Sequence, residues 1–126
     1  MSTQPTPANH EQTRRIVRGY HDAWMAGEVD AAGAYLAETV VNPAPFNHYS
    51  PAPRSRADYL AFLRGFRQRV TSVDLISALY GQDEATLVYE VHTSTPTGAR
   101  TFPTAEHFRL TDGRIARVLL IFNAAP

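Results

Sequence analysis

From Thr101 to Leu110 the chain reads Thr-Phe-Pro-Thr-Ala-Glu-His-Phe-Arg-Leu, and a period of two divides the stretch into two faces. Phe102, Thr104, Glu106, Phe108 and Leu110 fall on one face, Pro103, Ala105, His107 and Arg109 on the other. The first is the apolar face of a half-buried strand, with one acid in its middle. A carboxylate in an apolar interior is costly unless it is paired, hydrogen-bonded or held protonated. Glu106 is therefore the side chain most suited to chemistry, because a carboxyl with a raised pKa exchanges protons near neutrality. Its plain alternative is a glutamate paired with an arginine or reaching water. A one-residue slip would bury His107 and Arg109 instead, so the register that buries Glu106 is the one expected.

Other polar groups could join it. Tyr20 lies one helical turn from Trp24 on an apolar stripe, and a buried hydroxyl needs a partner that an interior acid supplies. Tyr89 belongs to the inner face of its own strand. His48, with Asn47 and Tyr49, sits in a Pro-rich stretch and is a candidate for the rim of a pocket. An imidazole beside a buried carboxyl makes an acid–base pair suited to neutral pH; a surface histidine is the plainer reading. His92 and His107 point outward by the alternation that turns Glu106 inward. No cysteine is present, which removes disulfides and thiolate zinc sites, and no histidine pair has short helical metal spacing. Neither a metal nor a cofactor is expected.

These side chains need positions. Met1 to Ala8 reads as a loose tail, and residues 9–126 as one domain. Asn9 with Gln12 forms a capping box for a helix carrying Ile16, Tyr20, Ala23 and Trp24 and stopping at Gly27. Asp30 is placed to cap a second, short helix with Ala34, Tyr35 and Leu36, followed by a strand near 39–42. Residues 42–54 are irregular, with prolines at 43, 45, 51 and 53. Ser55 with Asp58 opens a third helix with Tyr59, Phe62, Leu63, Phe66 and Val70 on one stripe and Arg64, Arg67 and Arg69 on a solvated face. Strands follow over 72–80, along 87–94, through the Glu106 stretch with a bend expected at Pro103, and over 114–123. Helices first and a meander of long strands afterwards give an α+β fold, with helices packed on one face of a curved sheet.

The chain has 126 residues, with 12 basic and 12 acidic side chains: one domain with room for a core and no charge bias toward nucleic acid or anionic membrane. No run is apolar for long enough to span a bilayer, and the first residues lack the order of a signal peptide. Cytoplasmic location is the expectation.

The segments Tyr20-His21-Asp22-Ala23-Trp24-Met25-Ala26-Gly27-Glu28-Val29-Asp30, Ser55-Arg56-Ala57-Asp58-Tyr59-Leu60-Ala61-Phe62-Leu63 and Glu106-His107-Phe108-Arg109-Leu110-Thr111-Asp112-Gly113-Arg114-Ile115 resemble SnoaL-like chains. These belong to the nuclear-transport-factor-2-like superfamily, which includes ketosteroid isomerase and polyketide cyclases. The resemblance implies a cone, a strongly curved sheet around three helices with a deep apolar pocket. By position, Glu106 resembles the pocket acid that ketosteroid isomerase keeps protonated, and Tyr20 the first-helix tyrosine of that site. The isomerase's general-base aspartate would fall near Asn42 or Pro43, neither of which abstracts a proton.

The expected function is a cofactor-independent acid–base enzyme acting on a hydrophobic, oxygenated small molecule by isomerase, cyclase, dehydratase or epoxide hydrolase chemistry. Glu106, Tyr20 and His48 would be catalytic. Trp24, Tyr49, Phe62, Tyr89, Phe102, Thr104, Phe108, Leu120 and Phe122 would bind the ligand. A non-catalytic binding protein or a dimeric interaction module are the alternatives. The outward face, with Val88, Ala105, Leu119 and Ile121 framed by Glu90, His92, Arg109 and Arg117, is expected to form a homodimer through the back of the sheet.

Overall fold

A computed structural model describes residues 6–123. The capping box at Asn9 forms as the sequence predicts: Asn9 Oδ1 accepts from the Gln12 N–H and Gln12 Oε1 from the Asn9 N–H, both at 2.9 Å. It starts α1 (His10–Met25), which ends before Gly27 in the left-handed region at φ +82°. The buried stripe is Thr13, Val17, Tyr20, His21 and Trp24. It is rotated from the expected one, so that Ile16 and Ala23 are half-buried and His21 turns inward.

Ala8, the last residue of the expected tail, is anchored to the fold. Ala8 is buried; its N–H donates to Asp83 Oδ1 at 2.7 Å and its carbonyl accepts from the Asp83 N–H at 3.1 Å. Positions 1–5 of that tail lie outside the described residues. The second helix, α2 (Val29–Ala32), also departs from expectation. Asp30 lies inside it and pairs with Arg64 rather than capping, and a 3-10 turn over Gly33–Tyr35 carries the chain into the sheet.

The sheet comprises β1 (Leu36–Val41), β2 (Pro53–Ser55), β3 (Val70–Tyr80), β4 (Glu84–Thr95), β5 (Gly98–Thr111) and β6 (Arg114–Phe122), with α3 (Arg56–Arg69) between β2 and β3. Its order is β2-β1-β6-β5-β4-β3, antiparallel throughout except for the parallel β1–β6 pair. The β5–β6 hairpin turns on Asp112 and Gly113, both at positive φ (53° and 75°), the signature of a tight turn that matches strand twist.

The bend expected at Pro103 is elsewhere. Pairing with β4 runs unbroken through Glu90↔Pro103, and β6 pairs with β5 only from Thr104 onward, so the missing proline N–H interrupts no ladder there. Register shifts fall instead between Arg109 and Leu110 opposite β6, and at two points on β3. Such bulges bend a strand and increase its twist, wrapping the sheet around the helices. Among the described residues no helix is long and apolar enough to cross a membrane.

The α3 arginines are also more than a solvated face. Arg67 donates to the carbonyls of Trp24, Met25 and Val70, joining the end of α1 to the end of α3. The buried core they help close runs from Val17 and Trp24 through Leu36 and Leu63 to Leu87, Phe108 and Val118.

Candidate functional site

The register places the acid. Glu106 faces Leu87 on β4 and Leu120 on β6, and burial alternates along β5, so that Thr104, Glu106, Phe108 and Leu110 are buried while Pro103 and Arg109 are exposed. Only 3 % of Glu106 is accessible, and that part meets a cavity of about 480 Å³. Rings adjoin one another around this space: Trp24 on Phe66 at 6.0 Å, Phe66 on Phe62 at 6.4 Å, Phe62 on Phe46 at 5.1 Å, Phe46 on Phe122 at 6.4 Å, and Phe122 on Phe102 at 5.7 Å between centroids. The result is an apolar collar above a polar floor.

On the floor, the Tyr89 hydroxyl donates to Glu106 Oε1 at 3.1 Å. Tyr89 is two residues along β4 from Leu87, the residue opposite Glu106, and a diagonal cross-strand pair is within reach of a long side chain. Burial pushes the Glu106 carboxyl up to about 8; the Tyr89 hydrogen bond offsets this only in part. Burial, and then the nearby Glu106 charge, also raise the Tyr59 and Tyr89 hydroxyls. The Tyr59 hydroxyl lies 2.6 Å from that of Tyr20. Trp24 Nε1 and Thr104 Oγ1 are buried without a hydrogen-bond partner among the described residues, and both residues line the cavity. A buried polar group without a partner is unfavourable, so both would gain from an oxygen-bearing ligand.

Most of the expected ligand-binding residues converge here: Trp24, Phe62, Tyr89, Phe102, Thr104, Leu120 and Phe122 all line the cavity. Four others do not. Tyr20 lies behind Tyr59, fully buried, with its ring edge-on to Phe108 at 5.8 Å, and Phe108 packs in the core beside it. Tyr89, not Tyr20, holds the acid. His48 and Tyr49 are exposed on a left-handed loop segment (φ 56° and 57°) outside the lining. Asn47 fixes this loop: its Oδ1 accepts from the N–H groups of Ala44 and Ser50, and its Nδ2 donates to the Asn42 carbonyl. Asn42 is buried, and its amide donates to the Val118 carbonyl at 2.7 Å.

Sequence reasoning missed several participants. Tyr59 and Phe66 were on the helical stripe, but whether a stripe residue faces core or cavity depends on how far the sheet stands off. Phe46 sits in the irregular loop, which has no period to read. Arg69 lines the cavity as well. His21 is 4 % exposed, its ring 5.4 Å from Tyr89 and 5.5 Å from Trp24, and burial holds its pKa down to about 4. Outside the cavity, His92 faces out as expected, with Nε2 2.8 Å from Asp74 Oδ2 and Nδ1 2.9 Å from Thr101 Oγ1. Asp74, Glu90 and His92 lie close enough together to share a cation, but both imidazole nitrogens are already engaged.

Comparison with known proteins adds relatives of the same fold. A family model described as a SnoaL-like domain matches residues 17–118. A crystal structure of a protein from Kribbella flavida DSM 17836 is similar at 27% identity and TM-score 0.77, over 91% of this chain and 89% of that one. A candidate ketosteroid isomerase from the same organism is similar at 22% identity and TM-score 0.72, over 93% and 82%. A candidate polyketide cyclase from Xanthomonas campestris pv. campestris is similar at 24% identity and TM-score 0.74, over 92% and 93%. No curated protein matches the chain in sequence.

The buried acid makes stability depend on pH. Between pH 4.5, the ordinary value of the carboxyl, and about 8, its value in the fold, folded Glu106 keeps a proton that the unfolded chain releases. Stability therefore falls as pH rises through this window and levels off above it. His21 acts oppositely: folded it stays neutral down to about pH 4 while the unfolded imidazole protonates below 6.5, so its contribution is lost as pH falls through that range. Urea unfolding of Glu106→Gln should show the first effect removed, with the variant gaining on wild type by about 2–4 kcal/mol between pH 5 and 8. A stability difference that does not change over that range would contradict the buried, protonated carboxyl.

Proposed function

The chain belongs to the SnoaL-like domain family, and on that premise we propose that it is an acid–base enzyme acting on a hydrophobic, oxygenated small molecule held in the cavity. The observation that carries this reading is the buried Glu106 carboxyl, opening on an aromatic cavity with a single tyrosine donor. Below about pH 8 Glu106 holds its proton. Tyr89 occupies Oε1, so the acid proton on the other oxygen is available to a ligand oxygen. Where Tyr20 donates to Tyr59, the Tyr59 proton is also free for the cavity. Two such donors on one ligand oxygen in an apolar cavity would stabilise negative charge developing there.

Glu106 would then recover a proton from the substrate. The same group gives and takes, which suits isomerisation or cyclisation within one molecule better than hydrolysis, where water needs a separately placed base. The names borne by two similar structures, a candidate ketosteroid isomerase and a candidate polyketide cyclase, agree with that class. A second reading, a non-catalytic binding protein, draws on Asn42. At the position where the isomerase resemblance places a base stands an amide held on Val118.

The partner we propose is a second copy of the chain, docked through the back of the sheet. Across that face, rows of cross-strand neighbours run from Glu84, Arg109 and Arg117 at one end, through Leu79, Val88, Ala105, Leu119 and Ile121, to Asp74 and Glu90 at the other. Leu79 is 70 % and Ile121 50 % exposed. A two-fold axis through the apolar middle reverses the strand direction and sets the arginines of one copy against the acids of the other. Such self-complementarity is what an isologous contact requires.

Two outcomes follow. Deuterium exchange at the α-carbon of 1-tetralone, followed by NMR, should be accelerated by the protein. The acceleration should drop by about 10²-fold or more in Glu106→Gln and by about tenfold in Tyr59→Phe; an undiminished rate in Glu106→Gln rules out the role assigned to it, and no acceleration by wild type favours the binding protein. Sedimentation should give a dimer that Ile121→Asp dissociates at micromolar concentration, whereas a wild-type monomer would refute the second copy.

A further inference from the structure

Of the four arginines on α3, Arg56 donates to the Ala37 carbonyl and the other three have different fates. Arg64 pairs with Asp30, and Arg67 is consumed by the carbonyls of Trp24, Met25 and Val70. Arg69, exposed on the last turn, makes no ion pair or hydrogen bond among the described residues, and it lines the cavity. Glu106 is the only carboxyl among the lining residues. It lies at the buried end and is protonated at neutral pH, so it neither satisfies the Arg69 charge nor repels an anion. A second guanidinium, Arg54, stands 5.3 Å from the centroid of the Phe62 ring, and its charge is felt at the Tyr59 hydroxyl. The apolar collar is therefore electropositive, with a free cation where the cavity meets solvent.

The wall leading to that cation is kept low. Ala61, Gly65 and Arg69 lie at successive four-residue steps of α3 and all face the cavity. Glycine weakens a helix interior, yet a Cβ at Gly65 would meet nothing within 4 Å. No contact among the described residues calls for glycine there; room for something that passes along the wall would. Elsewhere on the lining, the unpartnered Thr104 Oγ1 and Trp24 Nε1 await a polar group.

We infer that the ligand of this cavity is an amphipathic monoanion, an apolar oxygenated body bearing one carboxylate, and that Arg69 receives the carboxylate at the mouth while Gly65 leaves the passage open. This rests on the reading of the cavity as a small-molecule site and adds the charge of the molecule. An arginine fork matches a carboxylate in shape as well as charge. Arg69 serves here as a binding and specificity residue, remote from the proton exchange at Glu106.

Trp24 is the only tryptophan and lines the cavity, so its fluorescence reports occupancy. The test titrates wild type, Arg69→Gln and Arg69→Lys at pH 7 with decanoate and with its neutral match, decanamide. Wild type should bind decanoate at least about tenfold more tightly. That preference should vanish in Arg69→Gln with decanamide affinity unchanged, return in part in Arg69→Lys, and shrink with added salt, as it does for an accessible charge. Equal affinity of wild type for the two probes, or a preference that survives in Arg69→Gln, overturns the inference and leaves the cavity reading intact. If neither probe perturbs Trp24, both fall together.

Discussion

A carboxyl group stays inside an apolar interior only by giving up its charge or finding strong partners. Among the described residues Glu106 has one hydrogen-bond partner, the Tyr89 hydroxyl, in a mostly aromatic and aliphatic surround. That single imbalance organises the site. It keeps the acid protonated near neutrality, it disfavours ionisation of the tyrosines beside it, and on the proposed reading it makes a packing position one that exchanges protons. Two further donors and an unpaired hydroxyl lie around the same space, which is what the proposed ligand would meet.

The frame exists to hold that imbalance in place. The Glu106 register is fixed on both sides, by twelve consecutive pairs with β4 and by the hairpin to β6, and a slip of one residue would present His107 to the cavity. Bulges on β3 and opposite β6 bend the sheet far enough to leave a space rather than a filled core. The polar anchors lie around the periphery: Ala8 on Asp83, Asn47 across its loop, Asn42 on Val118, and Arg67 across two helix ends. None of them competes with the floor for its donors.

Much of this was legible in the chain because it depends on local periods. Alternation alone turned Glu106, Thr104, Tyr89 and Phe122 inward, and the Asn9–Gln12 and Ser55–Asp58 spacings marked two helix starts that the structure bears out. What escaped depends on distances between elements. A helical stripe does not say which of Tyr20 and Tyr59 fronts the cavity and which backs it. An irregular loop has no period, so Phe46 was unreadable as a wall and His48 as a bystander. The rotation of α1 that buries His21 follows from where the helix seats on β4. Arginines on a helix look alike in sequence, and only the carbonyls and acids brought beside them separate Arg64 and Arg67 from Arg69.

The fold is shared by proteins of several names, and fold alone settles no chemistry; the weight lies on one side chain. Its protonation can be observed without a substrate. With carboxyl-¹³C glutamate incorporated and the Glu106 resonance assigned by its loss in Glu106→Gln, a pH titration by NMR reads the group directly. The account predicts a midpoint near 8; a midpoint near the ordinary 4.5 would show an ionised, solvated or paired carboxylate and contradict it.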